Sequence, residues 1–413
     1  MDSLDIQKVL LLKRVIYIVE NNIGNFEERS HWIQKIVKET PELIVLLPSL
    51  KEKIERFCEN YNISTNTLNE QCPINIQYKK IKIDKLIVEH ILQDDYSNII
   101  LKYNIIPVEK ANHRHQPHYF YHWLENVLII TILSHDFRNI PELEYKIESN
   151  YEITTHLDSD NENSYDSQPE LFNAVQRMRL YLCCSLFLQE KYLDVIQKIF
   201  YFNDKDSGFL HISQWNLQNN FIFEDEFYTI VLISALLTIP INKYKNFIQL
   251  ANIQLLFHNF PLANMVFDLL VNINFKKFFN VWFQKVYPIV QKHFIIGPKL
   301  DEIEQKIRTK IYVFYLSVSD KIKISQLSES LGIAYNIVLN DLTKLFNERQ
   351  SNFFIEGDIV FYKKRSIIND ISSILKTNEN RISKLVDKKR EDNHQLIEFL
   401  HNSTSTNSQN CTD

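Results

Sequence analysis

Only five glycines occur in 413 residues, at positions 24, 208, 297, 332 and 357, and none stands near another. Cradling a phosphate needs closely spaced small residues, so a P-loop and a dinucleotide fingerprint are both excluded. Cysteine is scarce as well: Cys58, Cys72, Cys183, Cys184 and Cys411 are scattered, odd in number and form no CxxC pair. That argues against zinc ribbons and redox motifs and points to a reducing compartment. Positive charge is not in excess, since 46 Lys+Arg face 51 Asp+Glu for a net charge of -5. A global attraction to nucleic acid is therefore absent, and binding of that kind would need a local patch. The N-terminal apolar run is interrupted by Lys13 and Arg14 and has no small-residue cleavage site. It reads as an amphipathic helix, not as a signal peptide or a membrane span.

Catalytic constellations are thin. His113, His115, His118 and His122 form the one histidine cluster, and His118 and His122 stand four apart. No HExxH pattern accompanies them, and no Ser-x-x-Asp follows His113-x-His115, so the cluster reads as a polar loop entering a helix. Cys183-Cys184 sits in an apolar helical run without a basic neighbour, which fits packing and not a nucleophile. Glu224, Asp225 and Glu226 are consecutive, so they diverge around a helix and suit its N-terminal charge. No catalytic residue, metal or cofactor is expected.

What the chain does have is helical periodicity. Apolar residues recur every three to four positions over Leu4–Val19, His31–Val37 and Pro41–Tyr61. The pattern returns over Ile83–Gln93, Tyr96–Tyr103, Pro117–Leu133, Phe137–Ser149 and Leu171–Phe202, the last with a break at Glu190-Lys191. It continues over Glu224–Thr238, Lys243–Ile248, Pro261–Asn272 and Lys276–His293. Helix pairs of roughly 35 to 40 residues are the unit of tetratricopeptide-like solenoids. The segment from Ser149 to Pro169, rich in Asp and Asn, is too polar to bury anything and reads as a disordered insert.

After this array the pattern changes. Ile324, Leu327, Leu331 and Ile333 mark a short helix closed by Gly332, and Tyr335, Val338, Leu339, Leu342 and Leu345 mark a second. Phe353, Ile355, Ile359 and Phe361 then occupy alternating positions around Glu356-Gly357-Asp358, a hairpin signature. Helix, helix, hairpin is a winged-helix order. The second helix carries one Lys and one Asp among its polar positions, a poor surface for reading base edges. The run Lys363-Lys364-Arg365 would give weak phosphate contact at most. Beyond it, Ile371, Ile374, Ile382 and Leu385 belong to an apolar stripe with no evident partner in the chain, and the hairpin leaves an edge open. Both features suit protein docking, and these eight residues are the expected partner-binding set.

The expected fold is mainly α: a right-handed solenoid of tetratricopeptide-like hairpins, a winged helix and a C-terminal helix. The expected boundaries are 1–79 for N-terminal helices, 80–298 for the array with its insert at about 150–168, 299–365 for the winged helix, 366–400 for the C-terminal helix and 401–413 for a disordered tail. This plan resembles the PCI-domain family, shared by the proteasome lid, the COP9 signalosome and translation initiation factor three. Asp225 to Ile248, with Ala235-Leu236-Leu237-Thr238 in place of an "ALAT" turn, is similar in order and spacing to signalosome subunit one and its proteasome-lid counterpart. Glu304 to Arg308 leading into Tyr312-Val313-Phe314-Tyr315, and Gln176 to Phe200, extend the likeness, which covers Leu86 to Tyr362. The insert and the short N-terminal region depart from subunit one and fit a divergent yeast-type subunit better. The resemblance implies a non-catalytic scaffold in the cytoplasm and nucleus, with other PCI subunits as partners and neither membrane nor nucleic acid among them. It implies support of cullin deneddylation through assembly. The alternatives are a lid or initiation-factor subunit, or a nucleic-acid-binding PCI adaptor.

Overall fold

The computed structural model describes residues 6–64, 88–96, 117–158, 168–200, 221–319, 321–347, 353–362, 383–384 and 387–391. The chain divides into two compact units, Met1–Tyr312 with Glu329–Ile333, and Val313–Ser328 with Ala334–Asp413. The division between them falls inside the helix Leu300–Val318.

The first unit is a helical array. It opens with α1 (Ile6–Glu20), α2 (Phe26–Glu39), α3 (Pro41–Leu46) and α4 (Pro48–Asn60). After a short turn of helix within 88–92 come α5 (Pro117–Leu133), α6 (Ile140–Asp158), α7 (Gln168–Leu188) and α8 (Tyr192–Phe200). The array continues through α9 (Glu224–Thr238), α10 (Tyr244–Phe247), α11 (Ala251–Asn259), α12 (Pro261–Val271), α13 (Phe275–Val281) and α14 (Tyr287–Gln291). A π-helical turn, Trp282–Val286, joins the last two, and α15 (Leu300–Val318) follows. Neighbours in sequence pack together, as α1 on α2, α8 on α9 and α12 on both α11 and α13.

Three sequence expectations change. The single helix over Pro41–Tyr61 is split, because Pro48 offers no N–H and holds Leu47 extended at φ -117 and ψ 111. α11 was not anticipated. The polar segment expected to be disordered from Ser149 is helical as far as Asp158, while residues 159–167 lie outside the described chain.

Scarcity of glycine shapes how these helices stop. Asn22, Asn62, Asp94, Glu190 and Ile273 take positive φ at helix ends, where glycine is the usual choice. At each, the next N–H reaches back five residues: Ile23 to Ile18 (2.9 Å), Ile63 to Cys58 (2.8 Å), Asp95 to His90 (2.9 Å), Lys191 to Leu186 (2.9 Å) and Asn274 to Leu269 (2.8 Å). This Schellman geometry satisfies the last carbonyls, and side-chain-bearing residues accept the left-handed strain it requires.

α1 is a core helix, not a surface one. Nine of its fifteen residues are buried, among them the consecutive Leu10, Leu11 and Leu12. Arg14 is buried with them, and its guanidinium donates to both oxygens of Glu226 on α9 (Nη2 to Oε2, 3.0 Å) and to the Phe221 carbonyl (2.8 Å). The guanidinium also lies 4.1 Å from the centre of the Phe223 ring. Glu226 in turn accepts the Phe223 N–H (2.9 Å), so one carboxylate caps α9 and neutralises α1. Glu125 on α5 accepts a two-pronged bond from Arg177 on α7 (2.7 and 2.8 Å) and a further one from the Tyr181 hydroxyl (3.1 Å). Gln7 on α1 donates to that hydroxyl (3.1 Å). The N-terminal helix thus packs into the array through Arg14 and Gln7.

In the second unit the end of α15 leads to β1 (Lys321–Lys323), α16 (Ile324–Leu331), α17 (Tyr335–Asn347), β2 (Phe353–Glu356) and β3 (Ile359–Tyr362). The three strands form an antiparallel sheet ordered β1-β3-β2. This is a winged helix, so the chain is mainly helical with the expected C-terminal module. β1 gives no strand signal in sequence, because Lys-Ile-Lys is too short and charged to mark a strand without its partner.

Candidate docking surface of the winged helix

The turn of the hairpin is two residues, Gly357 and Asp358, and not the three that bracket it in sequence. Gly357 has φ +61, and an added Cβ there would meet nothing within 4 Å, so conformation and not space requires glycine. Positive φ at the first central position is what a II′ turn demands. It pairs Glu356 with Ile359, Ile355 with Val360, Phe354 with Phe361 and Phe353 with Tyr362.

That register sorts the expected residues onto two faces. Phe353, Ile355, Ile359 and Phe361 do not share a face. Phe353 and Ile355 lie on the side of Val360, which is fully buried, while Ile359 and Phe361 lie on the opposite side with Phe354. A three-residue loop would have kept the four together, and a slip of one residue exchanges faces. On the outer face Phe354 and Phe361 stack with ring centres 4.8 Å apart and planes 7° from parallel. Phe354 remains 45% exposed. Lys321 pairs with Phe361 and Lys323 with Ile359, so the aromatic row is edged by lysines of β1.

Asp358 fixes this hairpin to the helices. Its carboxylate accepts bonds from the Ser325 hydroxyl (2.8 Å) and the Tyr335 hydroxyl (3.1 Å), and its carbonyl accepts the Ile324 N–H (2.8 Å). The Ser325 bond, then that of Tyr335, holds the carboxyl below its ordinary range. α17 packs against β2 and buries Val338, Asp341 and Leu342, leaving Tyr335, Ile337 and Phe346 exposed. Three large apolar side chains on the helix that would enter a DNA groove favour protein over nucleic acid. Sequence reading counted Asp341 among the outward polar positions, and the structure buries it.

Among the described residues β2 pairs with β3 alone, so its outer edge offers unpaired backbone groups. Of the expected C-terminal set, Ile371, Ile374, Ile382 and Leu385 lie outside the described residues, as do Lys363, Lys364 and Arg365. In the array, burial pushes the Cys183 thiol up to about 12 and that of Cys184 higher, the opposite of an activated nucleophile. His113 and His115 fall outside the described residues.

Two family models match this chain. One described as the CSN11 N-terminal domain covers residues 4–300, and one described as the CSN11 C-terminal domain covers 321–413. The interval between them contains the division of the two compact units. A Saccharomyces cerevisiae protein named Cop9 signalosome complex subunit 11 is 29% identical over 403 residues, 95% of this chain and 88% of that one. Proteins named COP9 signalosome complex subunit 11 match from Candida glabrata, 25% identical over 95% of this chain and 87% of theirs, and from Kluyveromyces lactis, 30% identical over 43% and 45%. These relatives support the yeast-type alternative to subunit one. With one model alone spanning residues 4–300, the chain belongs to the COP9 signalosome subunit 11 family.

Proposed function

We propose that this protein is a non-catalytic scaffold subunit of a COP9 signalosome-like complex, acting in cytoplasm and nucleus. It supports removal of the ubiquitin-like modifier from cullins by assembling the complex, the chemistry residing in another subunit. The observation that carries this reading is the wing: a stacked Phe354–Phe361 pair on the outer face, beside the free edge of β2. Exposed aromatic surface flanked by an open strand is a site for β-augmentation by another chain. Its partners are PCI-type subunits, and the wing supplies the PCI contact. The test is a Phe354→Asp/Phe361→Asp double variant expressed at natural level. Recovery of other subunits with it, counted by native mass spectrometry, falls at least tenfold while its circular dichroism is unchanged. Equal recovery would remove the wing from the assembly interface.

A further inference from the structure

Residues 227–300 contain seven lysines, no arginine, no glutamate and a single aspartate, Asp268. That stretch carries a net charge of +6, which leaves -11 for the rest of a chain whose total is -5. Segregation of charge on this scale within one fold signals a partner of opposite sign. Two of the seven lysines are used internally, Lys292 with Glu28 (3.4 Å) and Lys299 with the Leu188 carbonyl (3.4 Å). Lys276, Lys277 and Lys285 are exposed, and among the described residues no carboxylate pairs with them.

Their helix has two irregularities, and both put apolar side chains beside the lysines. Ile273, at the turn into α13, has φ +56 and is 54% exposed. A β-branched residue in left-handed backbone is a strained choice where Asn272 or Asn274 stands alongside, and such strain concentrates at functional sites. The π-helical turn Trp282–Val286 inserts an extra residue into the helical repeat, and Phe283 is 45% exposed between buried Trp282 and Val286. Lys276, Asn280 and Phe283 follow one another at spacings of four and three through α13 and the π-helical turn, and Ile273 stands just before the N-cap Asn274. From Lys276 to Lys285 the stripe is roughly 14 Å long at 1.5 Å per residue.

We infer that this stripe is a second docking surface, independent of the wing, for an acidic protein segment carrying apolar anchors. Three observations select a protein over a nucleic acid. Every cation is lysine, a point charge, whereas phosphate recognition favours the arginine fork. The exposed apolar side chains are an aliphatic one and one aromatic, which is no stacking platform for successive bases. Their placement, Ile273 before the Lys276–Lys277 pair and Phe283 between that pair and Lys285, matches a partner segment in which carboxylates alternate with apolar residues.

The test uses the full chain and a fluorescein-labelled peptide in which three Asp-Glu pairs lie between a Leu and a Phe, read by fluorescence anisotropy. An all-acidic peptide of equal charge and a single-stranded oligothymidylate of equal charge serve as comparisons. The mixed peptide binds more tightly than either and weakens with rising salt. Its Kd rises at least tenfold in Lys276→Glu/Lys277→Glu/Lys285→Glu and about threefold in Phe283→Ser, with the Lys→Gln triple variant in between. Ile273→Gly raises the melting temperature and weakens binding, as expected where strain is kept for a surface. The inference is overturned if the wild type does not bind the mixed peptide, if the all-acidic peptide binds equally well, if the oligothymidylate binds more tightly, or if the variants bind as the wild type does.

Discussion

The array and the winged helix place their side chains by opposite rules. In the array, charges go inside: Arg14 with Glu226 is buried, and Arg177 with Glu125 and Arg179 with Glu148 are each buried on one side and part-buried on the other. In the winged helix, large apolar groups stay outside: Phe354, Tyr335, Ile337 and Phe346 are all exposed. Buried pairs define which helices meet and penalise any alternative that separates them. Exposed aromatics add little to the stability of their own domain and much to an interface. The winged helix thus gathers its exposed apolar groups in one small module, whereas the array combines buried ion pairs with scattered exposed groups such as Ile273 and Phe283.

The sharpest way to break this contrast is to remove one member of a buried pair. Arg14→Met leaves Glu226 charged in the core and lowers the unfolding free energy by about 3–5 kcal/mol, measured by urea titration with circular dichroism. Arg14→Met/Glu226→Leu recovers most of that loss, because no charge is left stranded. Failure of the double variant to recover would show that the pair itself, and not the isolated charge, supplies the stability.

A subtler probe is Lys310. Its ammonium donates to the Leu236 carbonyl in the last turn of α9, to that of its C-cap Ile239 and to the Tyr244 hydroxyl (3.2 Å), and burial pulls its pKa down to about 7 from 10.5. The folded protein holds fewer protons than the unfolded chain between these values, so its stability rises as pH climbs through that window. Between pH 7.5 and 9.5 the unfolding free energy of the wild type gains about 2 kcal/mol relative to Lys310→Met, on the order of 1.4 kcal/mol per pH unit. Parallel pH profiles for the two proteins would refute it.

The smallest effect belongs to the wing. Phe354→Ser changes the unfolding free energy by less than about 0.5 kcal/mol, since the ring is half exposed and makes its one described ring contact with Phe361. Urea titration of the free protein reads this out. A loss of more than about 1 kcal/mol would mean that Phe354 belongs to its own domain's core.

The unequal legibility of these two units in sequence has physical causes. Helices such as Pro117–Leu133 and Glu224–Thr238 end where apolar period and proline signals place them, because those signals are local. The Arg14–Glu226 pair was invisible, since nothing local links residues 212 apart. Glu226 looked like one of three N-terminal charges on a helix. In the hairpin the sequence marks the turn but not its length, and it is the two-residue turn at Gly357 and Asp358 that puts Ile359 and Phe361 on the outer face with Phe354. The lysine-rich stretch is likewise written plainly in residues 227–300, but a whole-chain charge of -5 conceals it.

The depth at which α1 is buried has a consequence for synthesis. α1 leaves the ribosome ahead of α9, and the carboxylate that receives Arg14 follows 212 residues later. At about 5–20 residues per second, α1 waits roughly ten to forty seconds for the segment that encloses it. During that interval α2 and α7 can pack on α1, but Arg14 lacks the carboxylate that neutralises it, so the N-terminal half of the array completes its core only when α9 has emerged.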